Sequence, residues 1–155
     1  GATERVGEWH RPETHLIPLA MQSVLGQRGP LTIYGTDYPT ADGTAVRDYV
    51  HVRDLADAHV RALNHLMEPE ATSIVCNLGS STGHSVREVL AAVERAAGRP
   101  VPIELGDRRT GDAPITVASN TRAAELLGWR PQRDIDDIVT SAWKWLRAHP
   151  NGYVD

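Results

Sequence analysis

The chain has 155 residues, of which 41% are hydrophobic and 23% are charged, and its formal net charge at pH 7 is −4. This size and composition favour one packed domain over a disordered chain, and the small acidic balance argues against a general nucleic-acid partner, which needs a basic face. The single cysteine, Cys76, excludes an intramolecular disulfide and a multi-cysteine zinc site.

Membrane and export signals are not evident in the sequence. No apolar run approaches the ~20 residues that a membrane-spanning helix needs, and the first residues lack the basic and apolar segments of a signal peptide. One cysteine also fits a reducing compartment. We therefore expect a soluble, cytoplasmic protein with no membrane partner.

The first half of the chain is predicted to contain two helices and three strands. Apolar residues recur at helical spacing in the helices, and β-branched or alternating residues between turn signals mark the strands. Asp54 is the predicted N-cap of the second helix. The predicted helices cover residues 14–26 and 55–67, and the predicted strands cover residues 31–34, 45–52 and 73–78.

The second half is predicted to be mostly helical. Ser85 and Glu88 form a capping box at the start of a helix over residues 85–97. A short strand at 102–105 and helices at 120–127, closed by Gly128, and 135–148 follow. The prediction is therefore an α/β fold in one domain over residues 1–155, with more helices than strands and few, short strands.

Several common site signatures are absent from the sequence. There is no Gly-x-Gly-x-x-Gly, P-loop or Gly-x-Ser-x-Gly motif. The turn at 79–83 offers backbone N–H groups to an anion, although a tight turn with a helix cap is the favoured interpretation. The seven histidines are dispersed without ligand spacing, so no metal site is predicted. Cys76 lies in an apolar run and is expected to be a buried, inert thiol.

Arginines are the best candidates for ligand binding. The alternation of residues 45–52 places Arg47, Tyr49 and His51 on one side of a strand, and Arg109 lies in a glycine-containing loop with Asp112 close behind. Two separated guanidinium forks suit the oxygens of a diphosphate, and a nearby carboxylate suits sugar hydroxyls. The alternative is an ion pair of Arg47 with a neighbouring aspartate and a solvated loop, and spacing alone leaves both open.

Several motifs, in this order, resemble the UDP-glucose 4-epimerase family of extended short-chain dehydrogenases. The resemblance extends from about residue 7 to residue 153. The motifs are PETHLIP at 12–18, IYGTDYPT at 33–40, DGT at 42–44, RDYVHV at 47–52, DLADAH at 54–59, NLG at 77–79, RTGD at 109–112, LGW at 127–129 and HPNGY at 149–153.

Only the C-terminal, substrate-binding part of that family is represented. The resemblance implies a Rossmann half with a glycine-rich NAD loop and a Tyr-x-x-x-Lys pair, and this chain has neither: Lys144 is its only lysine, and Thr140 stands four residues before it. Strand 74–78 and helix 55–67 would pack on the absent Rossmann half. NAD is thus expected in the full-length family but not on this chain alone, which is assigned no catalytic residue.

The resemblance also implies a UDP-sugar site. His15 and Leu16 would lie near the diphosphate, Thr32, Ile33 and Tyr34 would hold the uracil, and two arginines and a carboxylate would complete the site. Arg47 and Arg109 correspond to the diphosphate arginines of the family and Asp112 to the carboxylate near the ribose hydroxyls. Thr116 lies near the position that limits sugar size, where a small residue would admit larger sugars.

Three interpretations follow from the resemblance. In the first, the chain is the UDP-sugar-binding part of a UDP-glucose/UDP-galactose 4-epimerase, inactive alone; UDP-xylose/UDP-arabinose and the N-acetylhexosamines remain alternatives. In the second, it is a non-catalytic UDP-sugar-binding module. In the third, it is an inert domain that self-associates through the uncovered strand and helix. A separate Rossmann half is a possible partner, whereas hydride transfer by this chain alone is rejected.

Overall fold

The computed structural model describes residue 3 and residues 5–153 of the chain, and this part contains five helices and five short strands. Most of the regular structure is helical, as the sequence predicts. In chain order the elements are α1 (Leu16–Val24), β1 (Leu31–Tyr34), β2 (Val46–Arg47), α2 (Val52–Leu66), β3 (His84–Ser85), α3 (Val86–Ala97), β4 (Ile103–Gly106), β5 (Ile115–Thr116), α4 (Thr121–Leu127) and α5 (Ile135–Ala148).

The strands form two small sheets. β1 pairs in parallel with β4, and Leu31 lies opposite Ile103. β2 lies at the centre of the other sheet, antiparallel to β3 and parallel to β5, so that Arg47 faces both His84 and Thr116 in register. The two sheets place β1 and β2, which carry half of the predicted site residues, beside the helical core.

The main core lies between α1, α3, α5 and β1. Helix α3 buries Val89 and Val93, which stand one turn apart and so lie on the same face. Met21 of α1, Ile33 of β1 and Val139 of α5 pack into the same cluster and are at most 1% exposed. This packing fixes the end of α1 and the strand β1 relative to each other.

A second, smaller core joins α2 to α4. Trp129 is fully buried between Ala58 and Ala123, and its indole N–H donates to the backbone carbonyl of Asp54 at 2.8 Å. Gly128 ends α4 in a left-handed conformation (φ 61°), as the sequence predicts. The LGW motif therefore serves to attach α4 to α2.

Several predicted elements are confirmed. β1 covers the predicted residues 31–34, α5 covers the predicted residues 135–148, and α3 begins with the predicted capping box of Ser85 and Glu88. α1 begins at Leu16, two residues after the predicted cap Thr14, and ends before Gly26. The α/β fold with few short strands is the one that the sequence predicts.

Two predictions around residue 50 are wrong. The strand expected over 45–52 contains only Val46 and Arg47, and α2 begins at Val52 with His51, not Asp54, as its N-cap. The ring Nδ1 of His51 accepts a hydrogen bond from the backbone N–H of Arg53 at 3.0 Å. Asp54 lies in the first turn instead, where its carboxylate binds the turn after α4. The helix thus starts three residues earlier than the polar side chains suggest.

Residues 73–78, predicted as a strand, form no strand in the structure. A strand requires a neighbour with which to form a hydrogen-bonded ladder, and the described residues supply none to this segment. Cys76 and Leu78 pack on the small core, whereas Val75 is 79% exposed.

Within the described residues, no helix combines the length and apolar character needed to cross a membrane.

Candidate functional site

The structure brings the eight predicted site residues to two adjoining cavities. Seven of them line a cavity of about 290 Å³ beside β1, the strand-edge cavity: Leu16, Thr32, Ile33, Tyr34, Arg47, Arg109 and Asp112. The eighth, His15, lines a cavity of about 610 Å³ beside the start of α1, the helix cavity. Leu16 and Arg47 line both. The combined volume lies in the range of small-molecule sites.

One edge of β1 is open toward the strand-edge cavity. The backbone N–H groups of Leu31 and Gly35 donate to β4 and the residue before it, at 2.8 and 2.9 Å. Because successive backbone groups of a strand point to opposite sides, the N–H and C=O groups of Thr32 and Tyr34 point away from β4. β1 has no second neighbour among the described residues. This edge is therefore available to a planar ligand with alternating donors and acceptors.

Arg47 and Asp112 lie across the strand-edge cavity from β1. A guanidinium nitrogen of Arg47 (Nη2) is 3.8 Å from Oδ1 of Asp112, and the other (Nη1) donates to the Val46 carbonyl at 2.8 Å. Both side chains are partly exposed, at 31% and 40%. The sequence also allowed an ion pair of Arg47 with a neighbouring aspartate; the structure shows instead a long contact with Asp112, which lines the same cavity.

Arg109 and its neighbour stack on two tyrosine rings. The guanidinium carbon of Arg109 lies 3.9 Å from the ring centroid of Tyr34, and that of Arg108 lies 4.4 Å from the ring of Tyr38. Nε of Arg108 also pairs with Oδ1 of Asp37 at 2.6 Å. Cation–π contacts and an ion pair therefore hold the loop after β4 against the loop after β1.

Positive charge dominates the strand-edge cavity. Three guanidinium groups (Arg28, Arg47 and Arg109) line it, against the single carboxylate of Asp112. Two further lining residues were not predicted as site residues. Arg28 lies in a turn without a recognisable motif, and the alternation around Tyr49 indicated only which side of a strand it occupies. An excess of two positive charges favours an anionic ligand.

The helix cavity combines a helix start with buried rings. His15 is the N-cap of α1, and its side chain makes no capping hydrogen bond. Arg47, Tyr49 and His51 all line this cavity, as the predicted alternation implies, although β2 is short. Burial raises the pKa of Tyr49 and keeps its hydroxyl protonated. Burial, with the nearby charge of Arg133, lowers the pKa of His51 and keeps it neutral.

The loop between β1 and β2 is fixed by hydrogen bonds. The carboxylate of Asp42 accepts from the N–H and the hydroxyl of Thr44, at 2.9 and 2.7 Å, and from the hydroxyl of Ser85. Burial opposes ionisation of Asp42, but these bonds outweigh it and lower its pKa. Gly43 has a φ of 79°, and a Cβ there would lie 2.1 Å from the Thr36 carbonyl oxygen. This loop positions β2 and Arg47.

The turn at 79–83 forms a structural connection to α3. A Cβ on Gly79 would lie 2.2 Å from the Ala118 carbonyl oxygen, and one on Gly83 would lie 2.4 Å from the side chain of Val46. The capping box of Ser85 occupies the start of α3. The glycines therefore allow close packing of the chain on itself, which favours the tight turn over an anion cradle.

The histidines are less dispersed than the sequence suggests. His10 and His15 lie with their ring centroids 5.1 Å apart, and Glu8 contacts both. Sequence spacing missed this cluster because an irregular segment, not a helix, brings the two rings together.

Comparisons with known proteins give a consistent result. The NAD-dependent epimerase/dehydratase family matches residues 3–79. The UDP-glucose 4-epimerase of Rhizobium meliloti (strain 1021) is 53% identical over 148 residues, which cover 96% of this chain and 45% of that protein.

Solved structures give the same result. The UDP-glucose 4-epimerase of Stenotrophomonas maltophila with bound NAD and formylated UDP-arabinopyranose is 41% identical with a TM-score of 0.91, over 96% of this chain and 44% of that one. The enzyme of Bifidobacterium longum in complex with NAD⁺ and UDP is 40% identical with a TM-score of 0.83, over 90% and 41%. The chain spans less than half the length of the relatives that it matches.

Proposed function

The chain belongs to the UDP-glucose 4-epimerase family of NAD-dependent epimerases and dehydratases and corresponds to its C-terminal part, and from this premise we propose that it provides the UDP-sugar site of a UDP-glucose/UDP-galactose 4-epimerase. The observation that carries the proposal is the cavity with three guanidinium groups at the open edge of β1. A nucleoside diphosphate needs both features, an edge for its base and cations for its phosphates.

The base is assigned to the edge of β1. Uracil carries an N–H between two carbonyl oxygens, and this pattern complements the outward N–H and C=O groups of Thr32 and Tyr34. The Tyr34 ring, held by Arg109 at 3.9 Å, offers a face next to that edge. The solved relatives with bound UDP or a UDP-sugar support a uridine nucleotide as the ligand.

The diphosphate is assigned to Arg47 and Arg109, with His15 and Leu16 at the start of α1. Two arginine forks grip phosphate oxygens in bidentate fashion, and the long 3.8 Å contact with Asp112 leaves Arg47 able to turn toward an anion. The Asp112 carboxylate is assigned to the ribose hydroxyls, as an acceptor.

The residues of this chain do not fit the NAD of the relatives. The sequence has no glycine-rich dinucleotide loop, and its glycine turn at 79–83 is packed against its own chain. The catalytic Tyr-x-x-x-Lys pair is also absent from the sequence. The proposed contribution is therefore to bind and orient the UDP-sugar, and oxidation and reduction of the sugar require residues and a cofactor that another half supplies.

The size of the sugar that the site admits is assigned to Thr116. This residue lies opposite Arg47 in the β2–β5 pair and is exposed. Because its side chain is small, an N-acetyl group on the sugar is expected to be tolerated. UDP-N-acetylglucosamine should then bind about as tightly as UDP-glucose.

The test is a calorimetric titration of the chain with UDP. Each charge-assisted hydrogen bond contributes about 1.5–3 kcal/mol, so that Arg47→Ala and Arg109→Ala should each weaken UDP binding by roughly 10- to 100-fold. Arg109→Lys should restore only part of the loss, since lysine keeps the charge without the planar fork.

Arg99→Ala is the matched control. Arg99 is exposed and outside both cavities, and its removal should leave the UDP affinity unchanged. Absence of UDP binding by the folded wild-type chain would contradict the proposal. Equal losses for Arg99→Ala and Arg47→Ala would show that only the overall charge matters, and would contradict it as well.

A further inference from the structure

Three potential metal ligands converge at the segment before α1. Oε1 of Glu8 lies 3.1 Å from Nε2 of His10 and 3.4 Å from Nδ1 of His15. One ligand atom from each of the three residues can be chosen so that all lie within 4.8 Å of one another. We call these three residues the ligand cluster. It contains two imidazoles and a carboxylate, the donor set of many zinc sites.

The separations suit a tetrahedral ion. Zinc binds histidine nitrogen and carboxylate oxygen at about 2.0–2.2 Å, which sets neighbouring ligand atoms about 3.3–3.5 Å apart in a tetrahedron. The two distances from Glu8 lie at or just below that range. Both distances from Glu8 are therefore compatible with ligands of one ion, and the two histidine nitrogens lie within 4.8 Å of each other.

Hydrogen bonds from elsewhere in the fold hold the cluster in place. The hydroxyl of Tyr153 donates to the Gly7 carbonyl at 2.7 Å and accepts from the Gly7 N–H at 2.9 Å, which ties the residue before Glu8 to the end of the chain. A Cβ at Gly7 would overlap the ring of Trp145, so this residue packs closely on the core. Glu8 thus has a defined position although its side chain is exposed.

Glu13 orients His15 within the cluster. Its side chain is only 8% exposed, and its Oε1 accepts from the backbone N–H groups of Thr14 and His15 at 2.7 and 2.8 Å and lies 2.9 Å from Nδ1 of His15. This is the same nitrogen that faces Glu8, so an ion bound to Nδ1 would displace the contact with Glu13. The Glu13 carboxylate then lies within reach as a further oxygen ligand.

We propose that Glu8, His10 and His15 bind one divalent transition-metal ion, for which zinc is the best-suited member, with the remaining position open to water. The half-exposed ligands make this an exchangeable site rather than a closed structural one. The ion would lie at the rim of the helix cavity, which Glu8 and His15 also line. The site shares His15 with the proposed diphosphate site, but a zinc titration without UDP tests it separately.

The test is a calorimetric titration of the whole chain with zinc chloride in a non-chelating buffer. We expect one ion per chain in the tightest binding step. Loss of an orienting carboxylate typically weakens metal affinity by about 10- to 100-fold, and loss of a direct ligand should cost at least as much. Glu8→Ala and His10→Ala should therefore each lower the affinity at least tenfold.

His59→Ala is the control, because His59 is exposed on α2 and outside the cluster. It should leave the tight step intact, and circular dichroism of each variant should show an unchanged fold. Cobalt(II) in place of zinc should give the visible absorption of a four-coordinate site, lost in His10→Ala. No tight step in the wild-type chain, or the same affinity in His10→Ala as in His59→Ala, would overturn the proposal.

Discussion

His51 shows how one buried side chain links the cavity to stability. Its ring caps α2 through the Arg53 N–H at 3.0 Å and contacts the Ser141 hydroxyl through Nε2 at 3.0 Å. Burial is the main reason that the pKa of this imidazole is lowered, and the charge of Arg133 acts in the same direction against the opposing effect of Asp54. The neutral ring is thus part of the folded structure, and its protonation favours unfolding.

This lowered pKa predicts a loss of stability in mild acid. An unfolded histidine takes up its proton near pH 6.5, so the free energy of unfolding should fall as the pH drops below that value, by at most about 1.4 kcal/mol per pH unit from this group. His51→Asn keeps a capping acceptor without the titration. Urea unfolding at pH 7.5 and 5.5 should show a smaller pH dependence for His51→Asn than for the wild type. If His51→Asn showed the same pH dependence as the wild type, the titration of His51 would not be the cause. An equal reduction in the control His59→Asn would also contradict the prediction.

The sequence predicted which residues line the cavity better than it predicted which residues they contact. The sequence and the family resemblance identified Arg47, Arg109 and Asp112, because arginine and carboxylate chemistry is specific. The sequence could not show that Arg109 stacks on Tyr34, which lies 75 positions earlier in the chain, or that Arg28 joins them. Such contacts depend on how β1 and β4 pair, which no local pattern encodes.

At the scale of elements, local signals were reliable where the element is self-contained. The capping box of α3 and the apolar period of α5 lie within each helix, and both helices were predicted to within a residue of their ends. Residues 73–78 have the composition of a strand, but a strand depends on a neighbour, and the described chain provides none. The start of α2 was misplaced because the carboxylate of Asp54 serves a distant turn.

Two aspartate–arginine pairs on α2 allow a matched test of burial. The carboxylate of Asp54 is 2% exposed, pairs with the Arg133 guanidinium and accepts two backbone N–H groups, at 3.1 and 3.0 Å. Asp57 pairs with Arg61 at 2.7 Å, and both side chains are more than 40% exposed. Breaking a buried pair leaves uncompensated polar groups, whereas an exposed pair contributes little.

We therefore expect replacement by alanine to lower the free energy of unfolding more at Asp54 than at Asp57. Asp54→Ala should lower the free energy of unfolding by on the order of 3 kcal/mol, and Asp57→Ala by at most about 0.5 kcal/mol. Urea unfolding followed by tryptophan fluorescence measures both, and Trp129, which binds the backbone of Asp54, reports on the site. Similar losses for the two variants would show that the buried carboxylate does not anchor the turn after α4.

On the scale of the whole molecule, one side of the small core is left uncovered. Helix α2 exposes an apolar face, which we call the α2 face, and Val75 of the unpaired segment is exposed as well. The residues of this face recur at three- or four-residue spacing, as on a helix that packs against a partner. They are Val52, Ala56, Val60, Leu63 and Met67.

The resemblance to the epimerase family implies that a Rossmann half would pack on this surface. Segment 73–78 lies next to the small core and pairs with no strand among the described residues, and a neighbouring strand in another polypeptide could form a ladder with it. The α2 face and this segment also make self-association the expected behaviour of the chain in solution.

Self-association through the α2 face predicts a concentration-dependent mass. Burial of a leucine side chain contributes about 1.5–3 kcal/mol, so that Leu63→Glu should weaken the association by at least about tenfold. Leu105→Glu on β4 is the matched control, since Leu105 and Leu63 are 62% and 60% exposed. Sedimentation equilibrium over a hundredfold range of concentration should show association for the wild type and for Leu105→Glu, and a shift toward monomer for Leu63→Glu. A monomeric wild type throughout, or an equal effect of both substitutions, would show that the α2 face does not pair with itself.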